Sequence, residues 1–441
     1  MIRHTSAIAH SRAAPTRGAW TNALLASLLL AWMAAPAVGA QSLPRAQPED
    51  VGLSSERLER LSAQMQAYVD DGTRPGAVVL VARRGQVAYL EAFGYRDREA
   101  DSPLQEDAIF RIASQTKMVV SVGVMMLQEE GRLLTSDPVS AYLPEFGETT
   151  VAVPRDGADG YDIVAAERPI TIHDLLTHTA GVGYGGGTAA DRWEAAGITG
   201  WYLADREEPV GATVSRMAAL PFEAQPGERF VYGYSTDILG AIIERASGQR
   251  LDTFLQSRIL SPLGMADTHF YLPESKADRL AVVYSSTDAG GLERAPDSDA
   301  ATGQGAYVDG PRMSYSGGAG LLSTAADYAR FLQMLLNGGE LDGTRLLSPK
   351  TVELMTVDHL GDMDLDDGVG FGLGVWVVED LGARGVPGSA GEYGWGGAYH
   401  STYWVDPAEE LVVVYFTQVI PAGGFDDHAK LRTLVYQAVI E

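Results

Sequence analysis

Hydrophobic residues recur at helical spacing near both ends of the chain. The first set comprises Leu58, Leu61, Met65, Tyr68 and Val69, and Gly72 follows it, as glycine commonly does at the end of a helix. The second set comprises Leu431, Leu434, Val435, Ala438 and Val439. Each set predicts an amphipathic helix, so we expect one helix close to each end of the chain.

Two pairs of β-rich segments lie next to these predicted helices. The run "GAVVLVARRGQVAYLEAFGY" is interrupted by Arg84 and Gly85, which predicts a hairpin with a tight turn. The runs "AYHSTYWVD" and "ELVVVYFTQ" flank Pro407 in the same way near the C-terminus. Both ends of the chain should therefore contribute strands to an antiparallel sheet that the terminal helices flank.

The middle of the chain is richer in helical patterns. The segments "TIHDLLTHT", "TDILGAIIERASG" and "LDTFLQSRIL" are each followed closely by Gly or Pro, and long glycine-rich loops lie between them. We expect an α/β (α+β) fold with a sheet-and-helix lobe from residues 41–112 and 314–441. Residues 113–313 should form a mostly helical lobe, with a cleft between the two lobes.

The first forty residues have the pattern of a secretory signal peptide. Arg3, Arg12 and Arg17 precede the apolar run "ALLASLLLAWMAAPAV", the small residues "VGA" end at Ala40, and no acidic residue occurs in this region. We expect residues 1–40 to be a signal peptide, cleaved after Ala40, and the product to be periplasmic or secreted without a stable membrane span. An uncleaved membrane anchor is the alternative.

The composition excludes several classes of partner and chemistry. The net charge is −25, and no lysine- or arginine-rich run interrupts the acidic balance. Nucleic acids and anionic membrane surfaces should therefore be repelled. The chain has no cysteine, which removes thiol nucleophiles, disulfides and thiolate metal sites. The oligomeric state cannot be read from the sequence.

A lysine interrupts the apolar segment "FRIASQTKMVVSVGVMMLQEEGRLL". The amine of such a lysine either reaches the protein surface or takes part in catalysis. Ser114 and Lys117 are three residues apart at the predicted start of a helix, so their side chains share one face, roughly 5–6 Å apart at Cβ. A desolvated lysine with a depressed pKa can activate a serine, and a helix N-terminus favours a developing anion.

Other catalytic motifs are absent from the sequence. There is no Gly-x-Ser-x-Gly, no His-Glu-x-x-His and no Gly-x-x-x-x-Gly-Lys-Ser/Thr segment. His173 and His178 are five residues apart, which would place them on different sides of one helix. We therefore interpret both histidines as structural, and expect neither a metal nor a cofactor.

Four segments in order resemble the serine β-lactamase and penicillin-binding-protein superfamily. "FRIASQTK" resembles its nucleophile motif, "LLTHTAGV" its linking segment, "PGERFVYGYSTDILGAIIERASG" its tyrosine motif and "GYGWGGAYHSTYWVDP" its third motif. By this pattern Tyr232 matches the catalytic tyrosine, and Tyr234 is interpreted as an ordinary packing residue. "SGGAGLLSTAADYARFL" also resembles the family, but a glycine turn before a helix is a sufficient interpretation of it.

Two departures from the class C β-lactamase pattern point to a subgroup. That pattern has an asparagine two residues after the catalytic tyrosine and a lysine at the head of the third motif, where this chain has Tyr234 and Trp395. Both groups that would bind a charged or amide-bearing substrate are missing, so the site should prefer neutral acyl substrates. The remaining motifs are most similar to family VIII carboxylesterases. Arg312 is the one residue we consider as a replacement for the missing lysine.

The resemblance implies a role for each matching residue. Ser114 would be the nucleophile, Lys117 or Tyr232 its base, and the backbone N–H groups of Ser114 and Ala398 the oxyanion hole. Four further residues would line the substrate pocket: Trp395, Gly396, Gly397 and Tyr184. For Trp395, a position in the hydrophobic core is the alternative.

The leading hypothesis is an exported serine hydrolase that cleaves small, short-chain carboxylic esters through an acyl-enzyme on Ser114. Alternatives with the same chemistry are a β-lactamase, a D-amino-acid peptidase and an acyltransferase. A noncatalytic envelope-binding module is the alternative from another class, and a binding role would need neither Ser114, Lys117 nor Tyr232.

Overall fold

The computed structural model describes residues 42–441 apart from 156, 158, 159, 289, 299 and 364. The predicted signal peptide lies outside the described residues. No helix in the described ranges combines the length and the apolar character that crossing a membrane requires.

The main element of the fold is an antiparallel sheet built from both ends of the chain. In chain order the described strands are β1 (Gly76–Arg83), β2 (Gln86–Asp97), β3 (Ser102–Pro103), β4 (Phe110–Arg111), β5 (Thr150–Pro154), β6 (Tyr161–Ala165), β7 (Tyr284–Ser286), β8 (Leu292–Arg294), β9 (Leu322–Ser323), β10 (Glu340–Leu341), β11 (Thr344–Arg345), β12 (Val369–Phe371), β13 (Trp376–Val378), β14 (Tyr393–Gly397), β15 (Ser401–Asp406) and β16 (Leu411–Phe416). The spatial order of the main sheet is β12-β13-β14-β15-β16-β1-β2-β3, and the other described strands form four two-stranded pairs.

Helices occur at both ends of the described chain and throughout its middle. They are α1 (Ser55–Asp70), α2 (Thr116–Glu129), α3 (Ile172–Leu176), α4 (Ala190–Ala195), α5 (Val210–Met217), α6 (Ser235–Ser247), α7 (Leu251–Leu255), α8 (Ala325–Leu336), α9 (Pro349–Met355), α10 (Leu381–Arg384) and α11 (Asp427–Tyr436). A π-helical turn, Gln256–Leu260, continues α7. Short 3-10 turns occur at Pro48–Val51, Ala113–Gln115, Val139–Ala141, Pro144–Glu148 and Glu274–Arg279.

The hydrophobic core lies on both faces of the sheet. Along β16, Val412, Val414 and Phe416 belong to the cluster that contacts the helical middle of the chain. The alternate residues, such as Val413, belong to a second cluster with residues of α1 and α11. Because side chains alternate between the faces of a strand, a strand covered on both faces must be apolar at every position. This explains why β1 and β16 appear in the sequence as uninterrupted hydrophobic runs.

The predicted hairpin between β1 and β2 turns at Arg84 and Gly85, as expected. Both residues have positive φ angles, 51° and 76°, the conformation that a two-residue hairpin turn requires. The mixed α/β fold with a large antiparallel sheet and terminal helices is thus confirmed. The division into a sheet lobe and a helical lobe at residues 113 and 313 stays a prediction.

Candidate active site

Ser114 and Lys117 lie at the junction between a 3-10 turn and helix α2. Ser114 is in the turn Ala113–Gln115, and Lys117 is the second residue of the helix that follows. The Lys117 Nζ atom is 3.2 Å from the Ser114 Oγ atom. Ala113 has a φ of 42°, which is unusual for a residue with a side chain. The backbone is therefore strained directly before the serine, as often occurs at functional sites.

Lys117 is buried and has three hydrogen-bond acceptors. Its side chain reaches Ser114, the Tyr184 hydroxyl at 3.0 Å and the Gly318 carbonyl oxygen at 2.8 Å. The amine therefore points into the interior and does not extend to the surface. Burial lowers the pKa of Lys117, but the neighbouring Tyr184 and Tyr232 outweigh burial and raise it overall. This is the opposite of the depressed pKa expected for a lysine base, so the resting amine is an ammonium group at neutral pH.

Tyr232 lies beside the lysine and against Trp395. The Trp395 Nε1–H group donates a hydrogen bond of 3.0 Å to the Tyr232 hydroxyl oxygen. The Lys117 Nζ atom is 4.6 Å from the centre of the Tyr232 ring, within the range of a cation–π contact. Ser114, Tyr232 and Trp395 are all partly exposed, whereas Lys117 is buried. These side chains therefore border one opening with the lysine beneath them.

Tyr184 contacts Lys117 directly. It was predicted only to line the substrate pocket, but its hydroxyl accepts a hydrogen bond from Lys117. Tyr234 has a different environment, because it is buried, donates to the Gly200 carbonyl oxygen at 2.6 Å and stacks on Trp193. The interpretation of Tyr234 as a packing residue agrees with this environment.

Strand β14 brings Trp395, Gly396 and Gly397 to the serine turn, with Ala398 directly after them. A Cβ atom on Gly397 would lie only 2.6 Å from the Ile112 carbonyl oxygen, so no larger residue fits there without a backbone shift. The Gln115 side chain also donates to the Ser401 Oγ atom at 3.1 Å, which joins the serine turn to β15. The backbone near Ala398 is thus held against the backbone near Ser114.

Asp237 and Gly318 belong to the site, although no role was predicted for either residue. Asp237 is fully buried, and its Oδ1 atom accepts hydrogen bonds from Ser316 Oγ at 2.7 Å and from the Gly318 N–H group at 3.1 Å. Its Oδ2 atom has no hydrogen-bond partner among the described residues. Burial raises the pKa of Asp237. Because the Gly318 carbonyl binds Lys117, Asp237 positions the lysine through this glycine.

This finding changes the interpretation of the segment that begins at Ser316. A glycine turn before a helix seemed sufficient from the sequence, and α8 does follow it. The turn nevertheless supplies the Gly318 carbonyl to Lys117. The resemblance of this segment to the family could have indicated a role in the site. The group that contributes is a backbone carbonyl, however, and the residue types in a sequence do not reveal which carbonyls do so.

The expected placement of His173 and His178 on two sides of one helix is wrong. Helix α3 ends at Leu176, and His178 lies beyond it with a φ of 56°. The His178 ring is buried with its centre 4.7 Å from that of Tyr232. Burial, followed by the charge of Lys117, holds the pKa of His178 well below its usual value. His178 is therefore a neutral packing partner of Tyr232 at neutral pH.

Arg312 does not contact the other predicted site residues. Its Nη2 atom donates to the carbonyl oxygens of Leu272 and Val308 at 2.9 and 2.8 Å. It lines a cavity of about 390 Å³ whose lining includes neither Ser114 nor Trp395. Nothing in this arrangement supports Arg312 as a replacement for the missing lysine of the third motif.

Aromatic rings continue from Trp395 along one side of the opening. Phe371 lies edge-on to Trp395 with ring centres 5.2 Å apart, and Phe230 is 5.1 Å from Phe371. Trp395 also lines a cavity of about 500 Å³, in which apolar side chains such as Val369 and Trp376 lie beside the charged Asp366, Asp367 and Arg384. The apolar surface of the site is therefore provided by the partly exposed rings of Trp395 and Phe230.

Comparison with known proteins identifies the family. The β-lactamase family model matches residues 61–437. Esterase EstB from Burkholderia gladioli is 34% identical over 381 residues, which cover 82% of this chain and 92% of that protein. Lovastatin esterase from Penicillium rubens is 30% identical over 396 residues, covering 82% and 94% respectively.

A solved structure gives the same result. EstCE1, described as a hydrolase with promiscuous acyltransferase activity, superimposes with a TM-score of 0.71 at 29% identity, and the match covers 86% of this chain and 98% of that one. The family match spans nearly all of the described residues, including the serine, lysine and tyrosine segments. The chain therefore belongs to the β-lactamase family, and within that superfamily it is a serine hydrolase.

Proposed function

We propose that this serine hydrolase cleaves short-chain carboxylic esters through an acyl-enzyme on Ser114. The observation that carries the proposal is the contact between the Ser114 hydroxyl and the buried Lys117 amine, in a site whose third motif presents Trp395 where a β-lactamase would present a cation. The first feature supports nucleophilic catalysis, and the second favours an uncharged substrate.

In the first step, the Ser114 oxygen forms a bond to the ester carbonyl carbon and gives up its proton. The raised pKa of Lys117 disfavours the lysine as the acceptor of this proton. We therefore assign the proton to the Tyr232 oxygen, which accepts it in the phenolate form and becomes a phenol, while the Lys117 ammonium group orients the serine and stabilises negative charge. Collapse of the tetrahedral intermediate breaks the bond to the alcohol, which leaves with the proton. A water molecule then hydrolyses the acyl-enzyme by the reverse proton path.

The carbonyl oxygen becomes negatively charged during both steps. The N–H groups of Ser114 and Ala398 are proposed to bind it, which is consistent with the close approach of Gly397 to the Ile112 carbonyl. Loss of one such donor typically costs roughly 3–4 kcal/mol of transition-state stabilisation.

Substrate preference is inferred from the lining of the site. The partly exposed rings of Trp395 and Phe230, which pack on the buried Phe371, offer apolar contact, and Arg312 binds backbone carbonyls elsewhere. Two relatives bear the name esterase, which agrees with this preference. Short acyl groups are proposed because the partly exposed residues next to Ser114 are large aromatic side chains that narrow the opening.

The proposal is tested by turnover of p-nitrophenyl acetate, butyrate and octanoate beside a chromogenic cephalosporin, with Ser114→Ala as control. We expect rapid cleavage of acetate and butyrate esters that Ser114→Ala abolishes, and little opening of the cephalosporin. Dominant cephalosporin opening would refute the ester preference. Labelling by a fluorophosphonate probe that persists in Ser114→Ala would refute the assigned nucleophile.

Export is a separate part of the proposal. It rests on the three arginines, the apolar run and the small residues before Gln41. N-terminal sequencing of the protein recovered from its native host should begin at Gln41. A product that begins near Met1 would contradict cleavage after Ala40.

A further inference from the structure

The turn from Gly397 to His400 joins β14 to β15 and contains Ala398. His400 has a φ of 66°, in the left-handed region that residues with a Cβ atom seldom adopt. Such a conformation persists only where the surrounding contacts determine it. The contacts of His400 therefore show what holds this turn in place.

The His400 side chain is anchored to the start of helix α11. Its Nε2 atom lies 2.8 Å from Asp427 Oδ1 and 3.0 Å from Arg74 Nη2. Arg74 also donates through Nε to Asp427 Oδ2 at 2.7 Å, and the Tyr415 hydroxyl donates to the same oxygen at 2.8 Å. The Arg74 and Asp427 side chains are only 1% and 0% exposed. The histidine is thus attached to a buried ion pair that cannot easily move.

The backbone of His400 has a second anchor. His428 Nε2 lies 3.1 Å from the His400 carbonyl oxygen, and the two rings stack with centres 4.1 Å apart. Burial, followed by the charge of His400, lowers the pKa of His428 to about 4. His428 is therefore neutral near pH 7 and can donate its Nε2 proton to the carbonyl.

His400, Asp427 and His428 also bring their ligand atoms within 4.8 Å of one another, close enough in principle to hold a metal ion. Two features oppose this function. The cationic guanidinium group of Arg74 occupies one side of the cluster, and Arg74 and Tyr415 both donate to the Asp427 Oδ2 atom. The cluster is consequently better suited to hold a backbone segment than to bind a cation.

We infer that His400 is a positioning residue that fixes the Ala398 N–H group towards Ser114. The other side of the turn is already fixed, because Gly397 lies against the Ile112 carbonyl and Gln115 donates to Ser401. The Asp427 and His428 anchors hold the remaining side. Four contacts, from residues 112–115 and 427–428, thereby set the position of one backbone donor. The inference rests on the proposed function, since it concerns the oxyanion hole of that reaction.

The test compares His400→Gly with the unaltered enzyme. Glycine adopts a positive φ without strain, so this change removes the anchor and adds no backbone conflict. We expect kcat for p-nitrophenyl butyrate to fall about tenfold, less than the 10²–10³ reported for complete loss of an oxyanion donor, with KM changed less than about twofold. His400→Gln, whose amide can reach Asp427, should restore part of the loss.

A transition-state mimic separates positioning from general destabilisation. Phenylboronic acid forms an O–B bond with the serine, whose proton passes to the base, and the resulting tetrahedral anion needs the oxyanion hole. Its affinity should fall in His400→Gly by about the same factor as kcat/KM. Glu410→Gly is the matched control, because Glu410 has a φ of 51° in the β15–β16 turn and its side chain pairs with Arg84 at the surface. This control should leave kcat unchanged.

The possible results separate the role of His400 from the proposed esterase function. Suppose that the unaltered enzyme cleaves the ester and that His400→Gly has the same kcat and the same boronate affinity as the unaltered enzyme. This result would overturn the positioning role of His400 but not the proposed function. A parallel loss in Glu410→Gly would also overturn the positioning role, because any altered turn would then have the same effect. An unaltered enzyme without ester turnover would refute the proposed function, and the role of His400 with it.

Discussion

At the scale of single residues, the site depends on the different environments of its two tyrosines. Tyr184 accepts a hydrogen bond from Lys117, whereas Tyr232 accepts one from Trp395 and presents its ring to the lysine. Two hydroxyl groups thus lie next to one ammonium group. The proposed mechanism assigns the proton transfer to Tyr232 and only support of the lysine to Tyr184.

Replacement of each tyrosine by phenylalanine tests this assignment. Tyr232→Phe should lower kcat by roughly 10²–10⁴-fold, the usual contribution of a general base. Tyr184→Phe should cost only about tenfold, because Lys117 keeps Ser114 and Gly318 as acceptors. The measurement is kcat for p-nitrophenyl butyrate, with circular dichroism to verify folding. A greater loss in Tyr184→Phe than in Tyr232→Phe would reverse the two roles.

Asp237 gives a second prediction at this scale. It is buried near Lys117 and holds Gly318, so its negative charge stabilises the ammonium form of the lysine. Asp237→Asn keeps the acceptor oxygen but removes that charge. The ammonium form of Lys117 is then less stabilised, and kcat for p-nitrophenyl butyrate should fall by about tenfold near neutral pH.

The measurement is kcat at pH 7.5, with circular dichroism to verify folding. Asp327→Asn is the matched control, because Asp327 is also buried but interacts with Asp267 and Thr268. An unchanged kcat in Asp237→Asn, or an equal loss in Asp327→Asn, would show that the Asp237 carboxyl group does not act on the lysine.

At the scale of elements, strand β14 and the turn before α2 must approach closely. Strand β14 contains three glycines around Trp395, and a Cβ atom on Gly397 would collide with the Ile112 carbonyl oxygen at 2.6 Å. At Gly396 the nearest atom would be the Ser401 carbonyl oxygen at 3.3 Å, a tight contact that a small shift relieves. A Cβ atom would therefore be tolerated better at Gly396 than at Gly397.

We predict that Gly397→Ala lowers kcat at least about 100-fold, since the displaced strand carries the Ala398 donor away from Ser114. Gly396→Ala should cause a clearly smaller loss. Kinetic constants and thermal unfolding midpoints of both variants provide the measurement. Equal losses in the two variants would mean that the close approach at Ile112 does not determine the geometry of the site.

The sequence predicts elements better than it predicts the contacts between them. The hairpin at Arg84 and Gly85 and the apolar helix after Ser114 follow from local patterns, and the structure contains both. His178 was placed wrongly because the helix before it ends two residues earlier than its pattern suggested. Gly318 was missed because a backbone carbonyl contributes through position alone, and position depends on the tertiary fold.

At the scale of the whole molecule, the sheet joins the two ends of the chain around the site. Strand β1 pairs with β16, so the proposed oxyanion donor after β14 and the N-terminal strands share one rigid sheet. Helix α11 attaches to the same sheet through the hydrogen bond from Tyr415 of β16 to Asp427. Stability of the fold and geometry of the site are thus connected. His428 in α11 and His269 beside β9 make the fold sensitive to acid.

His269 and His428 have lowered pKa values, which make the stability of the fold sensitive to acid. Burial is the main reason that the pKa values of His269 and His428 are lowered to about 4. An unfolded chain takes up these protons near pH 6.5, whereas the folded chain resists them until about pH 4. Stability should therefore be lost as the pH falls from 6.5 to 4, by up to roughly 3 kcal/mol for each histidine.

His269→Gln tests this linkage at a site remote from the catalytic residues. His269 Nε2 lies 3.1 Å from Lys276 Nζ, and the oxygen of a glutamine can accept that hydrogen bond without binding a proton. Between pH 4 and 6.5 the free energy of unfolding should depend less steeply on pH in the variant, by up to about 1.4 kcal/mol per unit, the equivalent of one proton. Urea unfolding at half-unit intervals measures the slope. Parallel curves for the variant and the unaltered protein would show that His269 is already protonated in the folded state, because only a difference in proton uptake between the two states can produce the slope.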